Sequence, residues 1–278
     1  MAEMWFGNRN KMQWVPCPSV GIPVSRSSFS RGANYLHGGQ RRVVTFNGSR
    51  TYELNWSLTE RDRLRPITDY AEGVWGEGPI FWSDPFNMDK NVLAQSYATP
   101  SLGGYDAITL NGAEARPNIV PTSANSYNYP FESAVYTITG AGANSPRHWI
   151  PIPPGYSAWV GVHGVAGSGG LVRCTTDAGV TSNLPILSVA TDTRVGTKFT
   201  GTTGISLWLG GAGTITLSGI MVQIFKTSVT TPPKGGFISG QGHSGCSFDG
   251  EHPAMEAYSA ALDKVGMSAK LVETGQWQ

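Results

Sequence analysis

Between residues 131 and 228 the chain repeats one pattern, a short apolar-rich run closed by a turn former. This limits the fold more tightly than any other feature. The runs fall at 133–139, 147–152, 156–163, 170–176, 185–190, 194–200, 205–210 and 214–226. Gly140, Gly155, Gly179, Gly201 and Gly211 stand among them. Glycine supplies positive φ at turns, and runs this short fall below ordinary helix length. Eight strands at regular spacing predict an antiparallel β-sandwich, jelly-roll-like in character. The last run breaks its alternation around Gly219, which predicts a bulge.

Residues 1–97 read as a separate small β domain with one short helix. Arg42–Phe46 and Thr51–Ser57 have strand composition, and Asn47-Gly48 between them is a hairpin signal. The two-residue period puts Tyr52, Leu54 and Trp56 on one face, Glu53 and Asn55 on the other. Residues 66–73 predict the helix, with Pro66 near its start and Gly73 closing it. Arg61, Arg63 and Arg65 look like a solvated or subunit-facing surface. Gly73, Gly76 and Gly78 then interleave with Val74, Trp75 and Pro79, and Phe81-Trp82-Ser83-Asp84-Pro85-Phe86 follows. Glycine lets the backbone approach neighbours closely, and aromatics supply large apolar faces. Tyr70, Trp75, Trp82 and Phe86 are therefore expected to form the main assembly interface.

Residues 98–130, rich in Ser, Asn, Pro and Gly, read as the crossing into the sandwich at 98–228, with a single strand at 107–110. From residue 229, Pro232-Pro233 and Gly235-Gly236 mark a linker, and a Gly-rich loop follows at 240–250. Met255, Tyr258, Leu262 and Val265 lie at helical spacing, predicting a helix over 253–265 capped by Gly266. Val272–Trp277 would form a last strand. The segment 229–278 is too small for a core of its own. It should dock, with the open sheet edge of the N-terminal domain as the favoured acceptor.

Composition narrows the function classes. Charged residues make up 14% of the chain, against about 25% in ordinary soluble domains, and glycine and aromatics are plentiful. Such a surface suits a protein packed against other subunits, and a sugar-binding protein could share it. The net charge is +1 with no basic run beyond Arg41-Arg42, so nucleic-acid binding is not expected. The longest apolar stretch, near Gly219–Phe225, is too short to span a bilayer, so no membrane insertion is expected. The beginning of the chain lacks the apolar centre of a signal peptide. Three widely spaced cysteines, Cys17, Cys174 and Cys246, fit synthesis in a reducing cytoplasm.

No residue set reads as a catalytic centre, and no cofactor is expected. His243-Ser244-Gly245-Cys246 with His252 could supply three zinc ligands, Cys174 or Asp249 completing the set. Against this stands a glycine-rich turn in which His243 bonds backbone and Cys246 is a small buried apolar residue. We read the turn and expect no metal. Gly167-Ser168-Gly169-Gly170 sits in a hairpin turn, not on a nucleophile elbow. Only Glu132, Asp177 and Asp192 are acidic within 131–228, which leaves little for paired-carboxylate glycoside chemistry. Sugar binding is the more serious reading of the middle domain. Tyr127, Tyr129, Trp149 and Tyr156 are the candidate glycan contacts, with the loop residues Tyr127 and Tyr129 expected to be exposed. Trp159 and Trp208, in mid-strand, are expected to fill the sandwich core.

Several blocks in one order carry a further signal. They are Trp5-Phe6-Gly7-Asn8, Met12-Gln13-Trp14-Val15-Pro16, Leu36-His37-Gly38-Gly39, Tyr52–Ser57, residues 69–97, Ile150–Gly155, and Gly240–Cys246 through Tyr258–Asp263. In these blocks the chain resembles the minor tail proteins of long-tailed phages infecting actinobacteria. The resemblance covers most of the chain and is weakest around 101–128. It implies a structural virion protein of the tail tip, made in the host bacterial cytoplasm and contributing to tail assembly and host attachment. It also implies partners among other phage tail proteins, and self-assembly as a trimer or hexamer ring. The alternative is a carbohydrate-binding module that recognises host cell-wall polysaccharide.

Overall fold

The computed structural model describes residues 2–274 apart from 20, 27–28, 35–39, 46–49, 106, 109–113, 116, 124–126, 139–146, 191–195, 232–233, 251–252, 254 and 260–262. The chain opens with β1 (Glu3–Asn8), β2 (Lys11–Pro16), β3 (Val24–Arg26), β4 (Phe29–Asn34), β5 (Gln40–Thr45), β6 (Arg50–Glu60) and α1 (Arg61–Ala71). Next come β7 (Phe81–Ser83), α2 (Gln95–Ala98), β8 (Ala107–Ile108), β9 (Glu114–Ala115), β10 (Asn118–Pro121), β11 (Glu132–Ile138) and β12 (His148–Pro151). Then follow β13 (Tyr156–Val165), β14 (Gly170–Thr176), β15 (Thr181–Leu184), β16 (Ile186–Leu187), β17 (Thr197–Phe199), β18 (Gly204–Gly211) and β19 (Gly213–Lys226). The last strands are β20 (Cys246–Phe248), β21 (Met255–Ser259) and β22 (Lys264–Glu273). The fold is mainly β, as the spacing of runs predicts.

Two compact units emerge, residues 1–80 with 245–275, and residues 81–244. This differs from the expected division into 1–97, 98–228 and 229–278 at both boundaries. Residues 81–97 belong with the sandwich because Met88, Leu93, Ala94 and Tyr97 are buried in its core. Residues 245–274 are no separate segment, because they supply strands to the first unit.

In that first unit β6 alternates as its sequence predicts: Tyr52, Leu54 and Trp56 are buried, Glu53 and Asn55 exposed. Its neighbour is β22, whose Val265, Met267, Ala269 and Leu271 form the matching buried face. The register sets Leu271 opposite Tyr52, Ala269 opposite Leu54 and Met267 opposite Trp56. Strands β20 and β21 follow one another along the far edge of β22, and β3 lies on the far edge of β6. The helix expected over 253–265 is therefore absent, since β21 and the start of β22 are paired strands there. Residues 264–271 alternate with period two, and burial against β6 rewards that period over the helical one. The expected docking onto the N-terminal sheet does occur, through β22 rather than through a strand beginning at Val272. β5 pairs with β4 rather than with β6, and the Asn47-Gly48 signal lies outside the described residues.

Helix α1 starts five residues earlier than predicted and holds Pro66 inside it. Proline there forfeits one helical hydrogen bond, but Leu64, Ile67 and Tyr70 are buried at three-residue spacing. Gly73, at φ 74°, closes the helix with its N–H donating to the Tyr70 carbonyl at 3.1 Å. Hairpin β1–β2 packs beside the helix. Phe6 meets Tyr70 edge-on at 5.7 Å, and the Tyr70 hydroxyl donates to the Lys11 carbonyl at 2.7 Å.

The second unit is a sandwich of a sheet ordered β10-β11-β19-β13-β16, with β17 also on β13, and a sheet ordered β12-β18-β14-β15. All pairings are antiparallel except β13 with β16. Val160, Val162, Val222 and Ile224 from one sheet meet Ile150, Val172, Leu207 and Leu209 from the other. The predicted bulge is present: His163 pairs with Gly219, and the next partner of β13 on β19 is Leu217.

Residues 88–93 run along β19 beyond β11. The Val92 N–H donates to Val222, and the Ile224 N–H to Met88. Against them lies the glycine-rich turn. The Gln241 N–H donates to Asn91 at 2.8 Å and the Gly242 N–H to Leu93 at 3.0 Å. A Cβ on Gly242 would fall 1.8 Å from the Val92 carbonyl oxygen, so only glycine allows this approach.

Candidate interaction surfaces

The four residues expected to form an assembly interface have separate environments. Tyr70 is buried beneath the β1–β2 hairpin. Trp75 is half-buried, with the Lys11 ammonium 5.5 Å from its ring centroid. Trp82 is 8% exposed, its ring stacked on His243 at 3.6 Å and 22°. Phe86 alone presents its ring to solvent, 72% exposed, in a turn where Asp84 Oδ1 accepts the Phe86 N–H at 2.9 Å. Tyr70 and Trp82 are thus corrected to core residues, since their apolar faces are already covered within the chain.

The proposed glycan contacts fare similarly. Tyr129 is 2% exposed, its hydroxyl 2.7 Å from His163 Nδ1 and its ring beside Phe237 at 5.5 Å. The loop position suggested exposure, but residues 235–238 cross this outer sheet face and cover it. Gly219 makes the room, because a Cβ there would lie 2.8 Å from the Phe237 ring. Trp149 is 3% exposed, donates Nε1–H to Asp177 Oδ1 at 3.0 Å and meets Phe81 edge-on at 4.8 Å. Tyr127 and Tyr156 are half-buried, Tyr156 packing against the sandwich core. The four make no common platform.

His243 is held by backbone. Its Nδ1 donates to the Ser244 carbonyl at 2.7 Å, and Nε2 lies 3.3 Å from the Trp82 N–H and 3.1 Å from the Trp82 carbonyl. Cys246 is fully buried, and burial pushes its thiol far above the ordinary range. Burial likewise raises Cys174 to about 12, so neither sulfur is a reactive thiolate near neutrality. His252 lies outside the described residues. Among the described residues no group of three His, Cys, Asp or Glu could hold a metal ion, and no helix is long and apolar enough to cross a membrane.

His148 faces the sandwich core, 1% exposed, stacked on Tyr97 at 4.1 Å. Burial first, and the His243 charge second, lower its pKa from 6.5 to about 3. A depressed folded value means the unfolded chain takes up the proton first, so stability is full above 6.5 and falls toward 3. By pH 5 the loss from this group is about 2 kcal/mol. His148→Gln should flatten that slope in thermal melts between pH 7 and 5, by the same rough amount. Equal slopes for the two chains would refute the assignment.

Trp159 and Trp208 are buried as expected but not between the sheets. Their neighbours Val160 and Leu207 point inward, so both indoles sit on outer faces. Trp159 packs with Met221, Phe225 and Phe237. Trp208 lies in a row across the other sheet, opposite Arg173, which is itself opposite Asn183. The Arg147 and Arg173 guanidinium carbons stand 5.0 and 5.2 Å from its ring centroid. Two-residue alternation in Val172-Arg173-Cys174 marks Arg173 as outward, but only the strand pairing puts it beside Trp208.

The sequence matches no family model, and no curated protein matches it.

Proposed function

We propose that this chain is a structural protein of a phage tail tip, assembling with copies of itself and with other tail proteins and serving host attachment. The observation that carries the reading is where the resembling blocks lie. Trp5–Asn8, Met12–Pro16, Tyr52–Ser57, and the stretch from Cys246 onward come from both ends of the sequence, yet fall within one β unit. Blocks from both ends of the sequence thus meet in one folded body whose sequence the sandwich interrupts, while residues 81–97, Ile150–Gly155 and 240–244 lie in the sandwich unit.

Leu58 offers an assembly contact on that body. It sits where β6 and β22 shift register, at φ 50°, and is 61% exposed. A β-branched or bulky apolar residue held left-handed in solvent is costly, and such outliers collect at functional positions. Asparagine tolerates this conformation. Leu58→Asn should leave the melting temperature unchanged or higher while reducing incorporation into particles about tenfold, as loss of an apolar interface anchor would. Mass spectrometry of purified particles of the encoding phage reads both questions. Absence of the wild-type chain from particles would overturn the tail reading. Normal incorporation of the variant would overturn only the Leu58 contact.

A further inference from the structure

We infer that the outer face of the sheet β12-β18-β14-β15 binds an oxyanion, a phosphate or carboxylate group, through Arg147 and Arg173. The inference rests on the sandwich alone and does not depend on the tail reading.

Several cations of this chain pair with carboxylates: Arg50 with Glu273, Arg61 with Asp263, Arg63 with Glu3, Lys264 with Glu60, Lys270 with Asp249. Arg147 and Arg173 have no carboxylate partner among the described residues, although both lie about 5 Å from one indole centroid. Like charges gathered on one ring oppose each other, and an anion between or across them would relieve that repulsion.

The parts are also held ready. The Trp208 Nε1–H donates to Thr175 Oγ1 at 3.0 Å, which fixes the indole plane. Arg173 Nε donates to Asn183 Oδ1 at 3.2 Å, so its outer edge keeps the fork that matches phosphate and carboxylate. Gly210 keeps the space clear, since a Cβ there would meet Arg173 Cδ and the Trp208 ring at 3.0 Å. Arg147 is exposed and lies over the indole from the neighbouring strand end. Trp208 itself is 8% exposed, too covered to stack a sugar ring. Recognition therefore runs through the guanidinium groups, and charge rather than ring stacking selects the ligand.

Titration calorimetry on the full chain tests this with four probes: inorganic phosphate, a glucuronate tetramer, a glycerol-phosphate oligomer and maltotetraose. Saturable binding to the glucuronate or the glycerol-phosphate oligomer is expected, weakening as salt rises. The stronger of those two names the acid group, and a phosphate signal matching the oligomer's would show that the ion alone suffices. Arg147→Gln and Arg173→Gln should each weaken binding about tenfold, and Arg147→Lys should lose less than Arg147→Gln. Should Arg173→Gln lower the melting temperature, the exposed Arg147 decides. No saturable binding to any charged probe would overturn the inference. Equal binding of maltotetraose, or undiminished binding by Arg147→Gln, would overturn it as well.

Discussion

A chain ended at Ser244 will lose the fold of its first 80 residues while the sandwich keeps its own. The truncation removes β20, β21 and β22, and with them the neighbour of β6 over Thr51–Glu60. Burial of Val265, Met267 and Leu271 contributes about 1.5–3 kcal/mol for each side chain. The whole stability of a unit this size is roughly 5–15 kcal/mol, so losing the strand removes most of it. The far end of the ladder is pinned too. Glu273 accepts the Tyr52 hydroxyl at 3.3 Å and pairs with Arg50 at 3.8 Å, both carboxylate and guanidinium largely buried. Leu54 and Trp56 would be left on an open sheet edge, a template for aggregation. Limited proteolysis with mass spectrometry should find residues 2–80 cut rapidly in the truncated chain and residues 81–244 protected. Protection of residues 2–80 equal to that in the intact chain would defeat the argument. Leu271→Asp in the intact chain should reproduce the effect, since Leu271 is 0% exposed opposite Tyr52.

Asn91→Ala will destabilise the second unit by roughly 3–5 kcal/mol, a drop of about 10 °C in melting temperature. Asn91 is 0% exposed and serves four backbone groups. Its Nδ2 donates to the carbonyls of Ile220 and Ile238 at 2.9 Å each. Its Oδ1 accepts the N–H of Val222 at 3.0 Å and of Leu93 at 3.4 Å. Alanine would leave all four short of a partner in a buried place, which costs more than the net gain of an ordinary hydrogen bond. Hydrogen exchange at the Val222 amide should accelerate with the loss. A destabilisation under about 1 kcal/mol would show that water or backbone movement replaces the side chain. Nothing in the sequence singles out Asn91, because an asparagine in a turn-rich stretch looks like any other loop residue.

Local sequence carries the strand character of most of the sandwich and the facing of β6. The runs at 156–163, 170–176, 205–210 and 214–226 became β13, β14, β18 and β19 with small changes at their ends, whereas 185–190 and 194–200 kept only β16 and β17, and β15 at Thr181–Leu184 was not predicted. The alternation of Tyr52, Leu54 and Trp56 became a buried face. These are local properties, since pleat period and turn φ are set by neighbouring residues. Which segments meet and which faces are covered depends on the assembled fold. The partner of β6 lies some two hundred residues downstream, and Met255–Ser259 and the start of β22 became strand because pairing there buries an apolar face that a lone helix could not. Tyr129 and Trp149 are aromatic in any reading, yet they are buried because residues 235–238 and Phe81 happen to lie over them. Trp208 and Arg173 come from two strands and Arg147 stands just before a third, and only register brings them together. Burial and pairing are non-local, so a single sequence without its fold carries the alphabet of these contacts but not their neighbours.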